Sequence, residues 1–89
     1  MAPDDEILFG RAADESKSSY ERAGALAREA CTGLPPSDLA LALAEFELHG
    51  ATLRSLMRWY PEELRVRNAL ADWELLGVQL QTYLVPTRL

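Results

Sequence analysis

Proline and glycine punctuation limits this chain more than any other feature. At Gly33-Leu34-Pro35-Pro36 the glycine suits the left-handed position that ends a helix, Leu34 can pack back on the last turn, and two prolines forbid continuation. Pro61 and Pro86 interrupt the chain again. The segments between these marks hold most of the 16 Leu and 13 Ala, whereas Val and Ile together number four. Straight-chain and methyl side chains favour helix, and the near-absence of β-branched residues removes the material of a sheet. With 89 residues there is no room for a second core. The expectation is a single all-α domain over residues 1–89, a three-helix bundle or a short helical-hairpin array.

In the first segment, Phe9, Ala13, Ser16, Tyr20, Ala23, Ala27, Ala30 and Leu34 recur at alternating spacings of four and three residues. This seam consists mostly of small side chains, which let a neighbouring helix approach closely. Two starts compete for this helix. One lies near Asp4, and the other near Ser18, where Ser18-Ser19-Tyr20-Glu21 fits a capping box. The helix is expected to end near residue 32. A second helix is predicted over 37–60, with Ser37 as N-cap and Asp38 at the positive end of the dipole. The third is predicted over 61–85, opened by Pro61 with Glu62 and Glu63 in its first turn, and Tyr60 forms the joint.

A repeat links these two helices. Ala42-Leu43-Ala44-Glu45-Phe46-Glu47-Leu48-His49-Gly50 matches Ala69-Leu70-Ala71-Asp72-Trp73-Glu74-Leu75-Leu76-Gly77 at an offset of 27, with six identities in nine positions. Acid answers acid and aromatic answers aromatic at two more. Such periodicity suggests stacked helical units. These Ala-Leu-Ala helices with a spaced glycine, followed by Tyr60-Pro61, resemble tetratricopeptide helical hairpins of the kind found in small acidic secretion chaperones, including type III needle-subunit chaperones. The resemblance spans residues 37–85. It implies a helical-hairpin fold that binds a client protein, and it assigns no binding residue.

At 100° per residue, helix two carries two apolar stripes. Leu39, Leu43, Phe46, Gly50, Leu53, Met57 and Tyr60 form one; Leu41, Ala44, Leu48, Ala51, Ser55 and Trp59 form the other, about 180° away. Helix three has a broad face of Val66, Ala69, Leu70, Trp73, Leu76, Gly77, Leu80 and Tyr83, and a narrow one of Leu64, Ala71, Leu75, Val78 and Val85. A short three-helix chain cannot easily bury both faces of two helices. The surplus stripes are therefore expected to meet another protein chain, in a hetero-complex or a homo-oligomer, with Leu41, Leu48, Trp59, Leu75 and Val78 as partner-binding residues.

Chemistry is not expected. There is no phosphate loop, dinucleotide fingerprint, paired-cysteine motif or serine elbow, so no catalytic residue, cofactor or metal site is assigned and the chain reads as a non-enzyme. Cys31 reads as a small buried hydrophobe. His49 follows Glu45 by one turn, but two ligands do not fill a zinc site, and the pair reads as a solvated surface contact. The net charge of −5 disfavours a nucleic-acid partner. The charge is uneven: residues 1–50 carry ten acids and four bases, residues 51–89 four acids and five bases. Arg54, Arg58, Arg65 and Arg67 flank Trp59-Tyr60 and read as a solvated or interface-rim face. An acidic start without a basic leader, and no apolar run long enough for a bilayer, predict a cytoplasmic protein that does not engage membranes. Eight Arg to one Lys suggests a GC-rich, bacterial source.

The function expected is that of a small acidic chaperone or adaptor sequestering an apolar helical segment of its client. The alternatives are an antitoxin, immunity or phage-type inhibitor masking a basic surface, and a structural homo-oligomer.

Overall fold

The computed structural model describes residues 1–30 and 37–84. Among these residues the fold is all-α: α1 (Pro3–Ala30), α2 (Ser37–Trp59) and α3 (Leu64–Leu84), with no strand. The expected glycine-proline cap after helix one, Cys31 and the stop at Val85-Pro86 lie outside the described residues.

The earlier of the two starts for helix one is the real one. Pro3 occupies the first turn, where its missing N–H costs nothing, followed by Asp4, Asp5 and Glu6 at the positive end of the dipole. Ser18-Ser19-Tyr20-Glu21 lies in mid-helix and caps nothing. Tertiary contacts anchor the first turn to the joint between α2 and α3. Arg65 Nη2 and Nη1 donate to Glu6 Oε1 and Oε2 at 2.7 and 3.2 Å, and Arg65 Nε donates to Glu63 Oε1 at 3.0 Å. The same guanidinium lies 5.5 Å from the Phe9 ring centroid, and the Tyr60 hydroxyl donates to Asp5. A local capping pattern cannot compete with anchors held by residues some 55 positions away.

Pro61 does not open α3 as the sequence suggests. It sits in a turn in which Glu63 N–H donates to Tyr60 C=O at 3.1 Å. Arg67 N–H then donates to Glu63 C=O at 3.2 Å, so Glu63 is the N-cap and α3 begins at Leu64. The fixed φ of proline serves the second position of a turn as well as it serves a first helical residue, and here the turn reverses the chain.

Packing follows from side-chain size. α1 buries Ala12, Ser16, Ser19, Ala23 and Ala27, and half-buries Phe9, Ala13, Tyr20 and Leu26. That face is wider than the single predicted seam because α1 packs against both other helices. Tyr20 also donates its hydroxyl to Gln79 of α3 at 3.1 Å. Phe46, Leu53 and Val66 are the largest fully buried side chains. Between α2 and α3 the Phe46 and Trp73 rings stack, 5.0 Å apart and 17° from parallel, and Trp73 Nε1 donates to Phe46 C=O at 2.8 Å. The repeat is reciprocal here: the Trp73 ring lies on Gly50, and the Phe46 ring lies on Gly77.

Two predictions follow from these contacts. A Cβ at position 50 would overlap the Trp73 indole, whereas one at position 77 would meet Phe46 Cε2 at an ordinary 3.6 Å. Gly50→Ala should therefore cost about 2–4 kcal/mol in urea unfolding, and Gly77→Ala should be neutral or stabilise by up to about 1 kcal/mol through helix propensity. The second prediction concerns pH. The hydrogen bonds from Arg65 hold the Glu6 carboxyl below its ordinary 4.5. Its contribution is complete above that value and is lost as pH falls through the lowered one. Hydrogen bonding to Asp5 raises Tyr60 above its ordinary 10.0, so its contribution holds below 10 and is lost on further alkalinisation. Amide exchange over residues 3–9 should accelerate at both extremes relative to residues 42–56, and Arg65→Met should remove the acid limb alone.

Candidate protein-binding surface

The helical register that buries Leu39, Ala42, Phe46, Gly50, Leu53 and Leu56 of α2 turns the opposite side of that helix outward. Leu41, Leu48 and Trp59 stand there at 63%, 63% and 76% exposure, with Ala44, Ala51 and Ser55 exposed between them. On α3, burial of Val66, Trp73 and Leu80 turns out Leu75 and Val78, at 57% and 64%. All five predicted contact residues are thus on the surface. They form two ridges on separate helices, with Leu48 and Leu75 at equivalent positions of the repeat.

The two ridges have different surroundings. Val78 borders a groove of about 530 Å³ between α2 and α3, floored by Phe46, Trp73 and Leu80 and rimmed by Glu47, Glu74 and Arg54. Leu75 borders a smaller crevice of about 290 Å³ against α1, with Ala13, Lys17 and Asp72. Leu41 stands beside the α1–α2 crevice near Arg22 and Leu26. Sequence reasoning placed Leu64 on the narrow stripe of α3 without assigning it a role; it is 63% exposed and extends that ridge. Ile7 and Leu8, exposed in the second turn of α1, were missed. Their signal was their position off the Phe9–Ala13 seam.

Polar groups around these ridges do not converge on a reaction centre. Arg54 lies 4.7 Å from the Trp73 ring centroid, Arg65 is engaged by Glu6 and Glu63, and Arg67 Nη2 donates to Pro61 C=O at 3.2 Å. Arg54, Arg65 and Arg67 are thus directed to separate partners rather than to one face. His49 does not pair with Glu45. Its Nε2 faces Glu15 Oε2 of α1 at 3.8 Å with little of the ring exposed, and Glu45 is drawn to Arg22 instead. The i, i+4 spacing put the two on one helix face, but side chains of α1 took each of them. Among the described residues no cluster of His, Cys, Asp and Glu could hold a metal ion, and no helix is long and apolar enough to cross a membrane.

The chain is more open than its size requires. It exposes 6272 Å², where a monomer of this mass is expected to expose about 5,200 Å². Its radius of gyration is 14.5 Å, against about 12 Å for a compact domain of this length. The extents of 46 × 25 × 14 Å locate the excess in an elongated, flattened outline. Comparison with protein-family models, with curated proteins and with solved structures finds no match to this chain.

Because the ridges lie outside the core, charging them should leave the fold standing. Leu75→Glu and Val78→Glu should each change the unfolding free energy by less than about 0.5 kcal/mol. Leu53→Ala, in the core, should cost about 2–5 kcal/mol in the same urea titration.

Proposed function

We propose that this protein is a protein-binding module, a small acidic chaperone or adaptor that covers an apolar helical segment of a client chain. The observation that carries the reading is the exposure of Leu41, Leu48, Trp59, Leu75 and Val78, each more than half open to solvent while Phe46, Leu53, Val66, Trp73 and Leu80 are closed in the core. Exposed apolar area of several hundred Å² is characteristic of interaction sites. Covering about 400 Å² of it would favour association by about 10 kcal/mol before the entropic costs of binding. The α3 ridge and the adjoining groove offer the geometry a client helix uses: side chains at i and i+3, here Leu75 and Val78, beside an apolar trough. The resemblance to tetratricopeptide-type hairpins supports the same reading.

The test is capture of a client from the source cell by the immobilised chain, with the recovered protein then titrated in purified form. Wild-type protein should retain the client with an affinity that hardly changes between about 0.05 and 0.5 M salt, because apolar contacts are not screened. Val78→Glu should weaken that affinity at least tenfold while thermal unfolding stays as in the wild type. Steep loss of affinity with salt, unaffected by Val78→Glu, would instead assign the contact to charge and to an inhibitor that masks a basic surface.

A further inference from the structure

We infer that the exposed ridge of α2 is the seam of an antiparallel dimer, covered by α2 of a second copy of this chain. The inference rests on the reading above for one of the two ridges and leaves Leu75 and Val78 of the α3 ridge to the client, while Glu47 and Arg54 on the rim of the adjoining groove border both surfaces. Its ground is the order of charges along α2. Glu47 falls in the first half of the helix, which contains no Lys or Arg, on the same flank as the arginines of the second half; Asp38 and Glu45 lie on the other flank, where Glu45 engages Arg22. Arg54 and Arg58 fall in the second half, which contains no acid. A helix charged in this order is complementary to itself only when reversed, and its macrodipole then opposes that of its partner favourably as well.

The ridge fits that arrangement residue by residue. Leu41, Ala44, Leu48, Ala51, Ser55 and Trp59 succeed one another at spacings of three or four, and the end-to-end centre of the ridge falls at residue 50. Reversal about that centre seats Trp59 of each copy on Leu41 of the other and packs Leu48 among the small side chains at 51 and 55. Small residues between large ones are what close helix packing requires. A two-fold axis also sets like flank against like flank, so Glu47 of one copy lies opposite the Arg54–Arg58 turn of its neighbour. Among the described residues neither Glu47 nor Arg58 has an ion-pair partner.

Area agrees with charge. The exposed parts of Leu41, Leu48 and Trp59, with the alanines between, offer about 500 Å² per copy, or about 1,000 Å² for the pair when wholly covered, which is the threshold for a specific interface. The α3 ridge lacks this self-complementarity: Arg65 and Arg67 open that helix, Asp72 and Glu74 sit at its middle, and no charge follows up to Leu84.

Sedimentation of the full chain over about 1–100 µM, with circular dichroism on every variant, tests the proposal. A dimer is expected, with Leu48→Glu raising its dissociation constant at least a hundredfold while helix content is unchanged. Orientation is read separately in a Cys31→Ser background. Under mild oxidation, Ala44→Cys chains mixed with Ser55→Cys chains should form a linked heterodimer, and neither should link to itself. A chain that stays monomeric across the range overturns the proposal. So does a dimer that survives Leu48→Glu but is lost on Val78→Glu, or one in which Ala44→Cys links to itself. Client capture sensitive to Val78→Glu but not to Leu48→Glu would persist in a chain that stays monomeric or in a dimer in which Ala44→Cys links to itself, so the two readings fall separately.

Discussion

Trp73 crosses α2 at the level of Gly50, its ring stacked on Phe46 and its indole N–H bound to the Phe46 carbonyl. An aromatic ring can lie so near a helix backbone only where the helix has no side chain. Gly50 supplies that absence by its size rather than by its conformational freedom, since no described glycine has a positive φ. The contact satisfies the one polar atom of a large buried side chain and fixes the separation of α2 and α3. It also sets the rotation of both helices about their axes. With Phe46 and Trp73 turned inward, Leu48 and Leu75, two residues further along each helix, must turn outward. The exposed ridges are therefore a geometric consequence of the central stack, and they could not be withdrawn from solvent without dismantling it.

α1 meets a different demand. It spans nearly the whole length of the molecule and lies against both members of the hairpin, so it needs a wide face that adds little thickness. Alanine and serine provide it, at the cost of burying less apolar area per residue than leucine would. The deficit is met in part by polar anchors: Arg65 and Tyr60 on the first turn, and Tyr20 of the helix interior on Gln79. These are exposed or partly exposed contacts of modest individual strength, so the first turns of α1 are held less firmly than the centre of the hairpin.

Much of this architecture was legible in the sequence because it depends on periodicity. Three helices, their approximate limits and the assignment of most apolar residues of α2 and α3 to an inner or outer stripe follow from spacing, since a helix turns the same way wherever it is placed. Ala42 and Leu56, between the stripes, are buried because α1 and α3 approach α2 from two directions, which spacing alone does not reveal. What could not be read were outcomes decided by partners distant in sequence. Ser18–Glu21 has the composition of a cap, yet anchors at Glu6 and Asp5 carry the helix through it. His49 and Glu45 have the spacing of a pair, yet Glu15 and Arg22 of α1 separate them. Pro61 fits two local roles, and the need to reverse the chain selects the turn. The five surface residues were legible for a simpler reason: two opposed stripes on one helix of a short chain cannot both be inside.

The repeat gives the surface a property that neither helix would have alone. Because positions 42–50 and 69–77 are equivalent and antiparallel, the hairpin has approximate two-fold character, with acids at Glu47 and Glu74 rimming one groove and leucines at Leu48 and Leu75 capping two ridges. Equivalent shape does not bring equivalent neighbours. On α2 the ridge runs on through alanine and serine to Trp59, whereas on α3 it passes beside a groove that opens onto the aromatic stack. One duplicated pattern thus yields a long, flat ridge suited to another straight helix and a shorter one beside a depression suited to individual side chains.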